Sequence, residues 1–338
     1  MGKRWTHRPE GSTWGDWGED DQLGRLNLLT PERRITAARE VKEGLAFCLS
    51  LPLDMPGGNA VNPKRKAPVL GPVFHDGDHY YNFDWAARTP GMMDITSDES
   101  ITLYSQYSTQ WDSFAHVGCL FDVDGNGEPV GVYYNGYRAG SDIGGPDSIK
   151  DMGAKALGIE NMAATGVQGR GVLVDLHRHF GNERVAVNYD MLMDVFARDK
   201  IVIEEGDMFL FHTGWDDMIL AMDGNPDAKL LHSSCAVLDG FDQRLLDWIR
   251  DSGISIIATD NMAVEDSHSE GEAEGGCSRL PLHRQCLFRL GVHLGEIWHL
   301  SELASALYER GRSRFLLTAP GLRMPGAVGS PVTPVATI

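Results

Sequence analysis

The segment 105–118 concentrates polar side chains whose presence solubility alone does not explain. Gln106, Gln110, Asp112 and His116 stand there among apolar and aromatic residues. A carboxylate and an imidazole held close together, with amide oxygens beside them, can form a metal site or an acid/base pair. The same groups can also form a buried polar cluster whose members hydrogen-bond to one another and to the backbone. The segment by itself leaves both interpretations open.

Two further candidates lie far along the chain. His283 falls in the first turn of a short predicted helix, and Glu296 lies inside an apolar stretch, where a carboxylate must be paired or metal-bound. Carboxylate, amide and imidazole groups together suit Zn²⁺ or Mn²⁺ better than a soft metal. Such an ion would polarise a carbonyl and lower the pKa of a bound water towards ~7. A serine hydrolase is disfavoured because the sequence has no Gly-x-Ser-x-Gly elbow.

Local patterns predict the elements that position these groups. The alternation of residues 101–107 favours a strand, and the Ser-Thr pair at 108–109 favours the start of a short helix. On that helix Asp112 and His116 would share one face, because residues four apart are neighbours there. The acidic run 265–274 is more typical of a solvated segment than of a mobile lid.

The rest of the chain predicts a mixed α/β fold, since strand and helix patterns alternate along it. Strands are predicted at 45–51, 171–176, 208–211, 254–258 and 315–318, and helices at 30–42, 188–198, 241–253 and 301–310. We expect one domain spanning 1–338. Its aromatic-rich residues 1–30 should form an arm that packs on the body or on a neighbouring subunit.

Composition and charge exclude several classes of partner. The net charge of −18 argues against nucleic acid and anionic membranes, which need a basic surface. The sequence contains no apolar run near the ~20 residues that cross a bilayer. The five cysteines are an odd number and are scattered along the chain, which indicates a reducing compartment, by default the cytoplasm.

At the candidate residues the chain resembles the putative cyclase family, which includes bacterial kynurenine formamidase and isatin hydrolase. The family signature is His-x-Gly-Thr-His-x-Asp-x-Pro-x-His. Thr109, Asp112 and His116 match it, whereas Gln106 and Gln110 replace its first two histidines. Further segments resemble the longer bacterial branch of this family. They are the opening Asp-Gln-Leu-Gly-x-Leu-Asn at 21–27, Tyr134-Asn135-Gly136, Gly206-Asp207, Thr213-Gly214-Trp215 and Gly295-Glu296.

This resemblance implies a swivelling β/β/α fold, a homodimer or homotetramer, and a hydrolase dependent on Zn²⁺ or Mn²⁺. Such an enzyme opens an amide, cyclic amide or lactone bond of a small, aromatic or cyclic substrate through a metal-activated water. The implied metal ligands are Asp112, Gln106, Gln110, His283 and Glu296. The implied catalytic residues are His116, as general acid/base, and His283. We further expect an aromatic substrate pocket formed by Trp14, Trp17, Phe74 and Trp215.

Two alternatives to the hydrolase remain open at this point. A binding or regulatory relative would have lost its metal, and with it its activity, when glutamines replaced the two histidines. A lyase or ring-closing cyclase would use the same metal site to stabilise an enolate. Metal retained by the purified protein would favour the hydrolase over the metal-free relative. Analysis of the reaction products would distinguish the hydrolase from the lyase or cyclase.

Overall fold

The computed structural model describes residues 4–146, 149–266, 271–273 and 276–338. A mixed sheet of nine strands lies at its centre, in the spatial order β1-β9-β7-β3-β4-β5-β6-β2-β8. In chain order its strands are Ala46–Cys48 (β1), Gln110–Asp112 (β2), Gln168–Asp175 (β3), Met208–His212 (β4), Ile256–Thr259 (β5), His293–Glu296 (β6), Arg314–Thr318 (β7), Gly329–Pro331 (β8) and Val335–Thr337 (β9). Strands β3, β4, β5 and β6 are mutually parallel, and the other pairings are antiparallel.

Helices connect and cover these strands. They are Pro31–Ala38 (α1), Ile159–Ala164 (α2), Leu176–Phe180 (α3), Tyr189–Asp199 (α4), Trp215–Ala221 (α5), Ala228–His232 (α6), Gln243–Ser252 (α7), Pro281–His283 (α8) and Ser301–Glu309 (α9). Helix α8 continues directly into the π-helical segment Arg284–Leu290. Thr30 and Asn188 cap α1 and α4 by accepting hydrogen bonds from backbone N–H groups of the first turn. Short 3₁₀ helices occur at Gly24–Leu28, Trp85–Ala87, Tyr134–Gly136 and Ile149–Asp151.

Short strand pairs lie outside the main sheet. They are Val69–Pro72 with Glu99–Thr102, Phe74–His75 with Asp78–His79, Phe83–Asp84 with Ile95–Thr96, Cys119–Phe121 with Val130–Val132, Ile143–Gly144 with Gly153–Ala154, Ala186–Val187 with Val237–Leu238, and Gly271–Ala273 with Gly276–Ser278. The first three pairs make up an extension, residues 69–102, that we call the hairpin arm.

The sheet is buried on both faces, as its parallel centre requires. Side chains of β4 alternate between two apolar layers: Phe209 and Phe211 face helices α4 and α7, while Met208 and Leu210 lie in the layer that contains α9. The expectation of a mixed α/β fold is therefore confirmed. Since the parallel strands share an orientation, their carboxyl ends Asp175, His212, Thr259 and Glu296 lie along one edge of the sheet.

The N-terminal segment packs on the body of its own chain. Trp14 is fully buried, its ring lies edge-on to Phe288 with centroids 5.2 Å apart, and its Nε1 donates to the Phe288 carbonyl at 2.7 Å. Arg25 donates to the Ile249 carbonyl at 2.8 Å. These contacts join the beginning of the chain to α7 and to the π-helical segment.

Several predicted boundaries are wrong. Residues 110–112 form strand β2 instead of a helix, because their backbone is paired on both sides, with β6 and with β8. The strand predicted at 101–107 ends at Thr102. Helix α1 ends at Ala38. In the described residues, no helix has the length and apolar character to cross a membrane.

Candidate metal centre

Strand β2 places the central polar residues on one face of the sheet. Because side chains alternate along a strand, Gln110 and Asp112 point the same way and Trp111 points into the opposite apolar layer. In the register with β6, Gln110 lies opposite Glu296. The strand pairing thus brings the segment 106–116 to the carboxyl end of β6.

Three ligand-type side chains converge there. Asp112, His283 and Glu296 are all buried, and each offers an atom within 4.8 Å of the other two. His283 Nε2 lies 3.2 Å from Glu296 Oε1 and 3.8 Å from Asp112 Oδ2. Asp112 Oδ2 is buried and has no hydrogen-bond partner among the described residues. A buried carboxylate oxygen without a partner carries a large desolvation cost, which a bound cation would offset.

The two glutamines contact the carboxylates through their amide nitrogens. Gln110 Nε2 donates to Glu296 Oε2 at 2.9 Å, and Gln106 Nε2 donates to Asp112 Oδ1. A carboxylate accepts hydrogen bonds, so the amide group that faces it must be the donating nitrogen. The structure therefore brings all five predicted ligands together, with the glutamines positioned as donors to the two acids.

Glu265 completes the cluster from behind His283. Its Oε1 accepts from both the Nδ1 and the backbone N–H of His283, each at 2.8 Å, and its Oε2 accepts from the backbone N–H of Leu282 at 2.8 Å. A carboxylate bonded to the second nitrogen of a ligating histidine fixes the ring and its tautomer. The prediction of a solvated acidic run is wrong at Glu265, which is buried because it pairs with the helix start; most of the remaining run lies outside the described residues.

The electrostatics of the cluster favour a positive charge at its centre. Burial opposes protonation of His283, but hydrogen bonds to Glu265 and Glu296 outweigh it and raise the pKa of His283 to about 10. Burial raises the pKa of Asp112. Burial also opposes ionisation of Glu296, but the hydrogen bond from His283 lowers the pKa of Glu296. Metal binding requires a neutral imidazole, so it would release the proton that otherwise supplies this positive charge.

His116 lies at the open side of the cluster. Its Nε2 is 3.9 Å from Asp112 Oδ2, its ring centroid is 6.4 Å from that of His283, and its side chain is 25% exposed. His116, His283 and Glu296 line a cleft of about 480 Å³. Asp112 and His116 lie close together, as predicted. A strand and the turn after it bring the two side chains together, and not a helix.

The four predicted aromatic pocket residues do not assemble around this cleft. Trp14 is fully buried beside Phe288, and Trp215 is buried with its Nε1 bonded to the Leu231 carbonyl at 2.9 Å. Phe74 is 57% exposed on the hairpin arm, and Trp17 is half-buried in the N-terminal segment. The lining of the cleft contains none of the four. Aromatic composition alone did not distinguish packing residues from cleft residues.

A second buried polar cluster lies at the same sheet edge, and no sequence pattern predicts it. Its members are His212, Asp216 and Asp260. Asp260 accepts from the backbone N–H groups of Thr213 and Trp215, and His212 Nδ1 lies 2.9 Å from Asp175. Burial opposes protonation of His212, but the bond to Asp175 and the other carboxylates raise its pKa to about 9. The Thr-Gly-Trp motif therefore binds a buried carboxylate through its backbone.

Comparisons with known proteins agree with this architecture. The family model described as putative cyclase matches residues 49–266. A crystal structure described as a novel cyclase is 31% identical, with 97% of each chain covered and a TM-score of 0.76. The chain belongs to the putative cyclase family. Isatin hydrolase A from Ralstonia solanacearum covers 91% of this chain and 97% of its own, at 14% identity and a TM-score of 0.52.

A second isatin hydrolase A, from Labrenzia aggregata and bound to benzyl benzoate, is also 14% identical, covering 92% of this chain and 98% of its own at a TM-score of 0.52. At that level of identity, the similarity of this cyclase family member to isatin hydrolases establishes a shared fold. A search of curated proteins found no match. The expected family and fold are confirmed.

Proposed function

We propose that this cyclase family member is a metal-dependent hydrolase that opens an amide, cyclic amide or lactone bond of a small cyclic or aromatic substrate. The observation that carries the proposal is the buried convergence of Asp112, His283 and Glu296 at the base of a cleft, where Asp112 Oδ2 has no hydrogen-bond partner in the part of the chain that the structure describes. Three protein ligands beside an open cleft are typical of a catalytic metal site, which keeps a position for water or substrate.

The donor set supports Zn²⁺ or Mn²⁺ held by Asp112, His283 and Glu296. Two carboxylates and one imidazole are borderline-hard ligands, and the described cysteines lie outside the cluster. When bound, such an ion supplies Lewis acidity, which polarises a carbonyl and lowers the pKa of water. Gln106 and Gln110 hold the ligand carboxylates in place through their amide donors, so each carboxylate keeps an oxygen free for the ion.

The residues around the three ligands would orient His283 and transfer protons during hydrolysis. Glu265 holds the His283 ring through Nδ1, which leaves Nε2 facing Asp112 and Glu296. His116 is partly exposed at the cleft and adjacent to Asp112, so its imidazole can accept a proton from the attacking water and return it to the leaving group. The buried floor of the cluster excludes bulk water and strengthens these interactions.

Metal content tests the first half of the proposal. Protein purified without added chelator should contain about one zinc or manganese ion per chain by elemental analysis. Asp112→Asn should lose that ion through dialysis, because the substituted amide oxygen is a weaker ligand than carboxylate. Asp54→Asn, at an exposed position, is the matched control and should retain the ion. An unchanged metal content in Asp112→Asn would refute the assignment.

Activity tests the second half. The metal-loaded protein should hydrolyse members of a panel of cyclic amides, cyclic imides and lactones, and mass spectrometry should show the addition of one water. His116→Gln should lower kcat by roughly a hundredfold or more while metal content stays constant. Products formed without the addition of water, either by elimination of a fragment or by ring closure, would instead support a lyase or cyclase.

One observation favours a metal-free binding relative as the second candidate. Gln106 and Gln110 already donate to the two ligand carboxylates, and His283 supplies a positive charge between them, so most of the polar network is satisfied by protein groups. In that case the protein should contain negligible metal after incubation with each ion in turn. Asp112 Oδ2, which no described residue hydrogen-bonds, favours the hydrolase.

We also propose that the chain forms a homo-oligomer through the hairpin arm. The arm exposes apolar side chains that include Leu70 at 70% and Met93 at 93%. Apolar patches of this kind commonly mark protein contacts. Met93→Lys should lower the mass measured by light scattering, whereas Leu120→Lys, at an exposed apolar residue on another hairpin, should leave it unchanged. A wild-type monomer would refute the proposal.

A further inference from the structure

The cleft above the candidate metal centre has an unexpected charge for this protein. The chain carries a net charge of −18. Yet among the described residues that line the cleft, Lys64, Arg65 and Arg279 are cationic and Glu296 is the one carboxylate. Glu296 also belongs to the metal cluster. A cleft with this lining attracts anions in an otherwise acidic molecule.

Arg65 is the cation closest to the cluster. It is half-buried, and its Nη1 donates to the Gln106 carbonyl at 2.5 Å and to Gln110 Oε1 at 3.4 Å. Its charge also contributes to the lowered pKa of Glu296. The guanidinium therefore lies beside both glutamines and faces the same cleft as His116.

The Arg65 guanidinium has N–H groups that can still donate to a ligand. Of its five N–H groups, only those on Nη1 bond to protein acceptors in the described part of the chain, and Arg65 forms no salt bridge with a carboxylate there. A planar fork of this kind binds a carboxylate with two parallel hydrogen bonds. Placing an unpaired guanidinium next to a cation site costs electrostatic energy, which an anionic ligand would offset.

We propose that Arg65 binds a carboxylate on the substrate, so that the preferred substrates are small anionic amides, cyclic amides or lactones. The carboxylate lies against the guanidinium, and the scissile carbonyl lies at Asp112, His283 and Glu296. Lys64 is exposed at the rim of the cleft and increases the local concentration of anions. This inference rests on the proposed hydrolase function for the identity of the reaction, but its binding component can be measured without turnover.

The test uses matched pairs of probes on the zinc-loaded protein. Isatins that carry a carboxylate at ring position 5, 6 or 7 are compared with the corresponding carboxamides, which have nearly the same shape and no charge. Both dissociation constants, from calorimetry, and kcat and KM, from the absorbance change on ring opening, are determined. The variants are Arg65→Gln, Arg65→Lys and, as a control outside the cleft lining, the exposed Lys66→Gln.

We expect at least one carboxylate isomer to bind about tenfold or more tightly than its carboxamide, as a charged hydrogen-bonded pair predicts. Arg65→Gln should abolish this preference, mainly through KM. Arg65→Lys should restore part of it, since it keeps the charge without the planar fork. Lys66→Gln should behave as the wild type.

The possible outcomes separate the two proposals. If Arg65→Gln weakens carboxylate and carboxamide probes equally, Arg65 acts only by orienting the glutamines and the inference is overturned. If no carboxylate isomer is preferred by the wild type, it is likewise overturned. If carboxylates bind with the expected dependence on Arg65 but no probe is hydrolysed, substrate recognition stands and the hydrolase proposal fails for this substrate class.

Discussion

Glu265→Gln is the substitution that most directly tests the electrostatic structure of the centre. The Glu265 carboxylate is buried and accepts hydrogen bonds from Leu282 N, His283 N and His283 Nδ1. Glutamine has nearly the same shape but removes the charge and places an amide N–H₂ where one acceptor oxygen stood. The change therefore separates the charge of Glu265 from its volume.

The size of the effect follows from the pKa of His283. That pKa rises from an ordinary 6.5 to about 10. At 1.36 kcal/mol per unit, the shift corresponds to about 5 kcal/mol of folding free energy, on the order of half of it attributable to Glu265 and the rest to Glu296. Because the folded-state pKa is raised, this contribution is fully present below about pH 6.5 and is lost as the pH rises through about 10.

Urea unfolding of metal-free protein in the presence of chelator measures this contribution. Near pH 6.5, Glu265→Gln should lower the free energy of unfolding by about 3 to 5 kcal/mol, the cost of breaking a buried charged pair. Near pH 10 the loss should shrink by about 2 to 3 kcal/mol, because His283 is then becoming neutral in the wild type as well. Glu309→Gln, at a side chain 75% exposed, is the control and should change stability little at either pH.

A loss of stability that is equal at the two pH values would refute the reasoning. It would mean that Glu265 acts only as a neutral hydrogen-bond acceptor and that His283 is uncharged in the metal-free protein. No loss at either pH would show that the hydrogen bonds to the start of α8 are dispensable.

Three further changes probe the neighbourhood. Gln106→His with Gln110→His should tighten zinc binding by about tenfold or more in chelator competition, since imidazole is a stronger ligand than an amide; weaker binding would show that the amide donors matter more. Gly240→Ala should lower stability by about 1 to 3 kcal/mol, because its Cβ would lie 2.1 Å from Glu265 Oε2; an unchanged melting temperature would contradict this. His212→Gln should remove about 3 kcal/mol of stability that is present below about pH 6.5 and lost through about pH 9; an unchanged pH profile of unfolding would refute it.

The sequence predicts correctly those helices and strands that have a clear apolar pattern. Strands β3, β4 and β7 lie close to their predicted positions because each is a short continuous apolar run, and helices α4 and α7 do so because their apolar side chains repeat at helical spacing. Strand β2 differs from the helix that the sequence predicts at these residues, because its segment is too short to carry a pattern. It has three residues, too few to show a period, and it is a strand because β6 and β8 pair with it on both sides.

Some residues of the candidate site can likewise be predicted from the sequence, and others cannot. Asp112, His116 and Glu296 stand out because a polar residue within an apolar stretch needs a partner, and that signal is local. His283 is indicated mainly by the resemblance to the putative cyclase family. Glu265 gave no such signal, since it opens an acidic run that looks solvated. Arg65 lies on a loop of ordinary composition, and only the fold brings it to the cleft.

The pocket residues show where composition misleads. Aromatic side chains commonly line substrate sites, and on that basis the sequence predicts Trp14 and Trp215 in the pocket. In the structure both rings are buried, with their indole N–H groups bonded to backbone carbonyls. Large aromatic side chains stabilise a core as readily as they bind a ligand. The charge of a residue is more informative than its size here, because a cation such as Arg65, half-buried without a carboxylate partner in the described chain, has no comparable role in packing. For this reason the recognition of substrate is better sought in Arg65 than in the tryptophans.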